Sequence, residues 1–512
     1  MLAIIKSASV LGASGSPVDV EVHVGKGLPG YRIVGMPDAV CRESRDRVRA
    51  AVLSSELEWP TRCITVNLAP SATRKTGAGL DLAIALGVLV ASEQVRPGAT
   101  DGFGFIGELG LDGSLRRVPG VAPMVAVLGD VVAVVPAVAG AEAQVAARRE
   151  VRVASTLRAV VAALSGAEPW PDDPVADPGS EAPPPPDLAD VRGQPIARLA
   201  LEIAAAGGHH LLMVGSPGSG KTMLAQRLPG VLPALDRDAS LAATMVHSAA
   251  GLPMPRGGLV SVPPFRSPHH TSSTVSLVGG GSATLRPGEI SLASGGVLFL
   301  DELGEFAPSA LDGLRQPLEE GVIHVSRASV RAVLPARFLL VAATNPCPCG
   351  GGPPGWCECD DLARLRYLRR LSGPLLDRFD LRIAVQRPGV EELLDTGAGG
   401  EASAIVARRV AAARRVATDR AGCLNAALDG PSLDEHAPLT SQGRSVLRTE
   451  IERDRLTGRG YHRIRRVART IADLAGADGG GPGVPVHVDV EHVEVALSLR
   501  TRLRAATQGL VA

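Results

Sequence analysis

Lysine is nearly absent. Only Lys6, Lys26, Lys75 and Lys221 occur among 53 basic residues, so almost every cation is an arginine. A lysine kept at one position against that bias carries information. An excess of either charge is missing too: Lys+Arg and Asp+Glu both number 53. This excludes a globally basic chain, so any nucleic-acid surface has to be local. Long apolar runs are also lacking. Stretches such as "LAIALGVLVAS" fall well short of the ~20 residues that a membrane span needs. The opening "MLAIIKSASVLGASGS" mimics a signal peptide only faintly, because its charge falls inside the apolar stretch. It reads as a first strand and turn. The seven cysteines are odd in number and four are clustered, which does not suit a secreted disulfide framework and points to the cytoplasm. A soluble protein with no membrane partner is expected.

An apolar content of 45% and a charged content of 21% fit a globular chain, and its length calls for two or three domains. Residues 1–165 alternate β-like runs ("VDVEVHV", "CITVNLA", "VVAVV") with helix-like ones, predicting a mixed α/β domain. Residues 166–186 are rich in Pro, Asp and Glu and read as an extended linker. A second α/β region is expected over 187–386. From 387 to 512 the Ala-, Arg- and Leu-rich pattern predicts a helical domain.

The motif "GSPGSGKT" comprises Gly215, Ser216, Pro217, Gly218, Ser219, Gly220, Lys221 and Thr222. It lies between the apolar run "LLMV" and a helix-like segment. Glycines let backbone N–H groups curl around phosphates, Lys221 supplies a compact charge, and the Thr222 hydroxyl suits Mg²⁺. ATP with Mg²⁺ is the expected ligand. "GVLFLDEL" supplies the acidic partner, a buried strand that delivers Asp301 toward the metal and Glu302 as general base. A third strand, "FLLVAATN", ends at Asn345, which can orient the attacking water or form a turn before Pro346. In "LSGPLLDRFD", Arg378 suits either a surface ion pair or an arginine offered to a neighbouring subunit's γ-phosphate.

Together "FRSPHHT", "PGEISLASGGVLFLDELGEF", "LRQPLEEGVIHVSRA", "VAATNPCPCG", "SGPLLDRFDL" and "RGYHRIRRVARTIADLAG" resemble the magnesium-chelatase-like AAA+ ATPases of the YifB/ComM group. The resemblance covers nearly the whole chain in order. It implies a P-loop AAA+ α/β/α domain with a C-terminal helical lid, assembled as a ring, a hexamer, with ATP between subunits. It further implies that Asn345 is sensor 1, Arg378 the arginine finger and Arg459 sensor 2, with Arg463 and Arg466 as alternatives on the same helix. "NLAPSATRKTGAGLDLAIAL" is similar to the active-site region of Lon-type proteases, which have a ribosomal-protein-like α/β fold, and to the C-terminal domain of RadA-type ATPases. Gly79 stands where a Lon serine would be, so a scaffold is expected there rather than an active protease. Lys75 is left facing either DNA or solvent.

The segment between Lys221 and Asp301 holds more chain than one helix and one strand need. Its loops, with Arg286, and a hairpin with Arg327 and Arg331 near the tip are expected to reach phosphate oxygens of DNA. His269 and His270 suit DNA, a metal, or a packed or solvated role. Resemblance to ComM implies a helicase-like DNA motor for branch migration in recombination and natural transformation. The alternative is the ATPase subunit of a metal-chelatase complex, although no Asp-x-Ser-x-Ser-type metal site is present in the sequence. Finally, "CPCGGGPPGWCECD" places Cys347, Cys349, Cys357 and Cys359 in two C-x-C pairs, either a structural zinc site or unmetallated thiols.

Overall fold

A computed structural model describes residues 1–71, 73–171, 183–281, 285–327, 330–351, 357–360, 362–363, 366–367, 373–389, 400–478 and 487–500, with the side chains of 326–331, 373–374 and 477–478 left aside. Most of the expected 166–186 linker and the last twelve residues lie outside these.

The opening segment is a strand and turn, as expected. β1 (Leu2–Leu11) and β2 (Ser14–Gly25) pair antiparallel around Gly12 and Ala13. Alternation sets their faces: Ala3 and Ile5 are buried, whereas Leu2 and Ile4 are exposed, the period of two that a half-buried sheet requires. The N-terminal region continues with β3 (Gly30–Val34), α1 (Ala39–Ser54), β4 (Cys63–Ala69), α2 (Asp81–Ala91) and β5 (Phe103–Phe105). A short hairpin, β6 (Glu108–Leu109) with β7 (Leu115–Arg116), then leads to α3 (Val121–Ala126), β8 (Val132–Pro136), α4 (Gly140–Ala146), β9 (Val151–Ala154) and α5 (Leu157–Ser165). Seven of the strands form one mixed sheet in the order β3-β4-β2-β1-β5-β8-β9. Every residue of α2 is buried, because "DLAIALGVLVA" is apolar all round and suits only a core helix.

The second α/β region comprises α6 (Pro195–Gly207), β10 (Leu211–Val214), α7 (Lys221–Arg227), α8 (Arg237–Ala250), β11 (Phe265–Arg266), α9 (Thr274–Val278), β12 (Gly279–Gly280), β13 (Arg286–Pro287), α10 (Glu289–Leu292), β14 (Val297–Leu300), α11 (Pro308–Asp312) and α12 (Arg315–Glu320). The antiparallel pair β15 (Val322–Arg327) and β16 (Val330–Pro335) precedes β17 (Leu339–Thr344), α13 (Gly373–Leu376) and β18 (Leu381–Ala384). The five-stranded sheet is all parallel, in the order β11-β14-β17-β10-β18. β10, β14 and β17 are buried at every position, as near-continuous apolar strands covered on both faces should be. The C-terminal part is helical: α14 (Ser403–Ala421), α15 (Gly430–His436), α16 (Ser441–Glu452), α17 (Gly458–Asp478) and α18 (Val490–Ser498). α14 and α17 pack against α6 in one core with the parallel sheet.

Among the described residues the N-terminal region grips the ATPase region at two places. Glu142 on α4 is buried, pairs with Arg117 Nε at 2.8 Å and accepts the Ser248 hydroxyl of α8. Gly120 N also donates to Ser248 O at 2.8 Å. At the other place the β1–β2 turn abuts the hairpins: a Cβ on Gly12 would lie 3.1 Å from Leu334 and 3.3 Å from Leu285.

One expectation for the N-terminal region fails. Lys75 faces neither DNA nor solvent. It is buried, and its ammonium donates to Pro70 O and to Thr73 O, the latter at 2.8 Å. A buried charge needs such partners, so the lysine closes its own loop.

Candidate active site

β10 delivers the P-loop at its C-terminal end. Gly220 adopts φ +89, which a side chain would disfavour, and a Cβ on Gly215 would meet Val385 O at 2.3 Å. The loop therefore depends on glycine for both its turn and its close packing. Lys221 Nζ donates to Gly215 O at 2.8 Å, Ser216 O at 2.9 Å and Asn345 Oδ1 at 3.3 Å. Burial holds its pKa below the ordinary lysine value, against the opposing pull of Asp301 and Glu302.

Strand order brings the three motifs together. β17 lies between β10 and β14, with Val214 opposite Thr344 and Leu300 opposite Ala342. Asn345 thus emerges between Lys221 and Asp301. Thr222 Oγ1 donates to Asp301 Oδ2 at 2.6 Å, and Glu302 N donates to Asp301 Oδ1 at 2.9 Å. Glu302 is half exposed and sits at φ +50, a strained conformation for a non-glycine residue. Ser219 Oγ is buried without a hydrogen-bond partner. A lysine, a threonine hydroxyl, two carboxylates and an amide around a glycine loop fit a nucleoside triphosphate with magnesium.

The expected arginines do not join this group in the same chain. Asp380 immediately precedes β18, and Leu381 pairs with Leu211 at the start of β10. That end lies a strand length away from the P-loop, roughly 13 Å at ~3.3 Å per residue. Arg463 Nη1 bonds Asp380 Oδ1 there at 2.9 Å, and Arg466 Nε donates to Leu428 O at 2.6 Å. Arg459 is exposed, and with Arg378, Arg463 and Arg466 it lines a cleft of about 320 Å³. Arg378 is paired with Glu319 of α12. The lysine end and the arginine end of the sheet are thus separate halves.

Arg286 lies exposed on β13. β15 and β16 form the expected hairpin, with Arg327 opposite Val330 and Arg331 opposite Ser326, but the side chains of Arg327 and Arg331 lie outside the described residues.

Two residues at the lysine end escaped the motif reading. Gln194 Nε2 donates to Ser219 O at 3.1 Å, and Arg387 Nη2 donates to Pro217 O at 2.8 Å, so both clasp the P-loop from outside. His270 Nδ1 lies 3.0 Å from Glu302 Oε2. The "HH" pair was visible in sequence, but its partner was not.

The four clustered cysteines do converge. Their sulfurs lie within 4.8 Å of one another, with Cys347 and Cys349 3.3 Å apart and Cys357 3.5 Å from each. A tetrahedral zinc with ~2.3 Å bonds would space thiolates about 3.8 Å apart, so the donor set fits a metal. The Gly351 backbone N–H lowers the Cys349 thiol to about 6, whereas burial and the neighbouring thiols raise that of Cys347. The cluster abuts the P-loop, since a Cβ on Gly350 would lie 2.7 Å from Pro217.

Comparison with known proteins covers most of the chain. The family described as magnesium chelatase, subunit ChlI, matches residues 187–393. Subunit ChlI of Mg-chelatase matches residues 20–137, and the subunit ChlI C-terminal family matches residues 400–500. YifB of Escherichia coli strain K12 is 42% identical over 509 residues, covering 98% of this chain and 97% of its own. Competence protein ComM of Haemophilus influenzae is 42% identical over 484 residues, covering 93% of this chain and 94% of its own. A distant, partial likeness is to a probable DNA helicase MCM9 of Arabidopsis thaliana, 26% identical over 42% of this chain and 27% of that protein. Among the described residues no helix is long and apolar enough to cross a membrane.

Proposed function

Because the chain belongs to the YifB/ComM family of magnesium-chelatase-like AAA+ ATPases, we propose that it is a ring-forming cytoplasmic motor that hydrolyses ATP to move DNA. Its task is branch migration during homologous recombination, including the uptake of transforming DNA. The likeness to ComM supports the DNA task, and the observation that carries the ring is the division of the site into two halves at opposite ends of one sheet. That division favours a second copy supplying the arginines, and a closed ring, a hexamer, lets every copy do so.

The P-loop N–H groups and Lys221 bind the phosphates, and Gln194 and Arg387 fix the loop. Thr222 and Asp301 would hold magnesium, whose charge offsets that of the phosphate oxygens. Glu302 takes a proton from water as the water oxygen bonds to the γ-phosphorus. The bond from that phosphorus to the β–γ bridging oxygen breaks, and ADP and phosphate leave. Asn345 orients the water. Arg378 of the adjoining copy, with Arg459, Arg463 or Arg466, neutralises the developing charge. Arg286, Arg327 and Arg331 follow DNA phosphates without reading bases. Cys347, Cys349, Cys357 and Cys359 would hold a structural zinc, which would tie the two C-x-C pairs together.

The test is ATP hydrolysis by the full chain, with and without a three-stranded or four-way DNA junction, from low to moderate salt. Lys221→Ala is the control. Stimulation that fades with salt supports DNA phosphates against the motor. Hydrolysis that ignores DNA overturns the branch-migration reading and turns the search to a protein partner of the chelatase kind.

A further inference from the structure

Glu319 occupies the penultimate position of α12, and its carboxylate accepts from Nη2 of Arg378. The two partners differ in setting: the arginine side chain is 15% exposed and the glutamate side chain 65%. Both line the cleft that also holds Asp377, Arg459, Arg463 and Arg466. Of these arginines, Arg463 is already neutralised by Asp380. An incoming phosphate therefore meets an arginine whose charge a carboxylate already engages.

α12 is also tied to the β15–β16 hairpin. Gly321 turns the chain from α12 into β15 at φ +68, and Gly321 O accepts from Ala336 N, just past β16, at 2.9 Å. A pull on the hairpin is thereby transmitted to the helix carrying Glu319. The carboxylate is mostly in water, where an ion pair is weakly held and readily exchanged, whereas a multiply charged phosphate is a stronger partner for a guanidinium.

We infer that Glu319 is a positioning residue that holds Arg378 back from the adjoining copy's ATP until α12 and its hairpin shift. This rests on Arg378 being the group offered to a neighbouring γ-phosphate. The device makes each copy's hairpin a control on its neighbour's hydrolysis. In a ring, engagement of the hairpins would then favour firing around the circle over idle turnover.

Four versions of the full chain test this by steady-state ATP hydrolysis without DNA: wild type, Glu319→Gln, Arg378→Ala and the double variant. Glu319→Asp is a fifth that keeps the carboxylate. Glu319→Gln is expected to raise kcat by about threefold or more, with KM for ATP within about twofold, because an unrestrained finger is worth far more than that in rate. The double variant should fall to the level of Arg378→Ala, and Glu319→Asp should stay near wild type. If Glu319→Gln is no faster than wild type, or if the double variant keeps the gain, the inference is overturned. Turnover unchanged in Arg378→Ala overturns the finger reading and the inference with it. DNA is absent throughout, so none of these outcomes touches the DNA reading.

Discussion

His270 Nδ1 and Glu302 Oε2 stand 3.0 Å apart, so the carboxylate proposed to activate water is paired with an imidazole. The ring of His269 lies 4.1 Å from that of His270, and His269 Nδ1 is 2.8 Å from Thr271 Oγ1. The pair is therefore braced from behind. Glu302 is half exposed on a strained backbone, and His270 gives it a fixed direction.

Replacing His270 with alanine is expected to lower kcat for ATP about tenfold while KM stays within about twofold, since misdirecting a base slows chemistry more than binding. Glutamine at the same position should restore part of the rate. A His270→Ala protein as fast as wild type would remove His270 from the site.

Lys221 and Asn345 touch at 3.3 Å but should fail differently. Lys221→Ala is expected to weaken nucleotide binding and to cut kcat/KM by about 100-fold or more. Asn345→Ala should bind ATP normally and lose about 10- to 100-fold in kcat. Titration with a fluorescent nucleotide beside turnover separates the two, and equal binding defects would contradict the assignment of Asn345 to the water.

Protein prepared without added zinc is expected to carry about one zinc per chain by elemental analysis, as four thiolates should hold it. Cys347→Ser should abolish the metal and lower the melting temperature. Stoichiometric free thiols and no metal in the wild type would leave the cluster unmetallated.

Asp380 is buried, with Oδ2 3.1 Å from His209 Nδ1 and Oδ1 2.9 Å from Arg463 Nη1. Burial pushes its pKa up, yet the hydrogen bond from His209 and the neighbouring positive charges prevail and hold it below the usual carboxylate range. With the folded value depressed, its stabilisation is fully present above about 3.9 and is lost as pH falls toward the folded value. Asp380→Asn should therefore be less stable at neutral pH, by about 3–5 kcal/mol. Its melting temperature should also fall less steeply below about pH 4. Parallel melting curves across that range would contradict the pairing.

What was legible in the sequence was whatever chemistry is local along the chain. The P-loop, "LFLDE" and "VAATN" each put an apolar strand beside its functional residue, and the parallel sheet brings those strand ends together as read. The likeness of the N-terminal segment to Lon-type domains likewise pointed to a mixed α/β fold. Contacts between distant segments were not legible. Gln194 and Arg387 reach the P-loop across 25 and 170 residues, and no motif marks either one. His270 gains its meaning only from the turn after β14. Lys75 lies in a motif that suggested a working lysine, and only the folded loop reveals that its ammonium is used up by carbonyls. Choosing among Arg459, Arg463 and Arg466 from spacing alone was impossible, because one helix presents all three to the same cleft.

The N-terminal region is fastened to the ATPase region through Glu142 and Ser248 at one place and through the β1–β2 turn at another. The first fastening is a packed face and the second only a turn, so the region would give more readily at the turn than at α8. Tilting of α8 would then carry the seven-stranded sheet with it, like a shutter fixed to its hinge leaf. In the ring proposed above, neighbouring shutters would widen or narrow one aperture together.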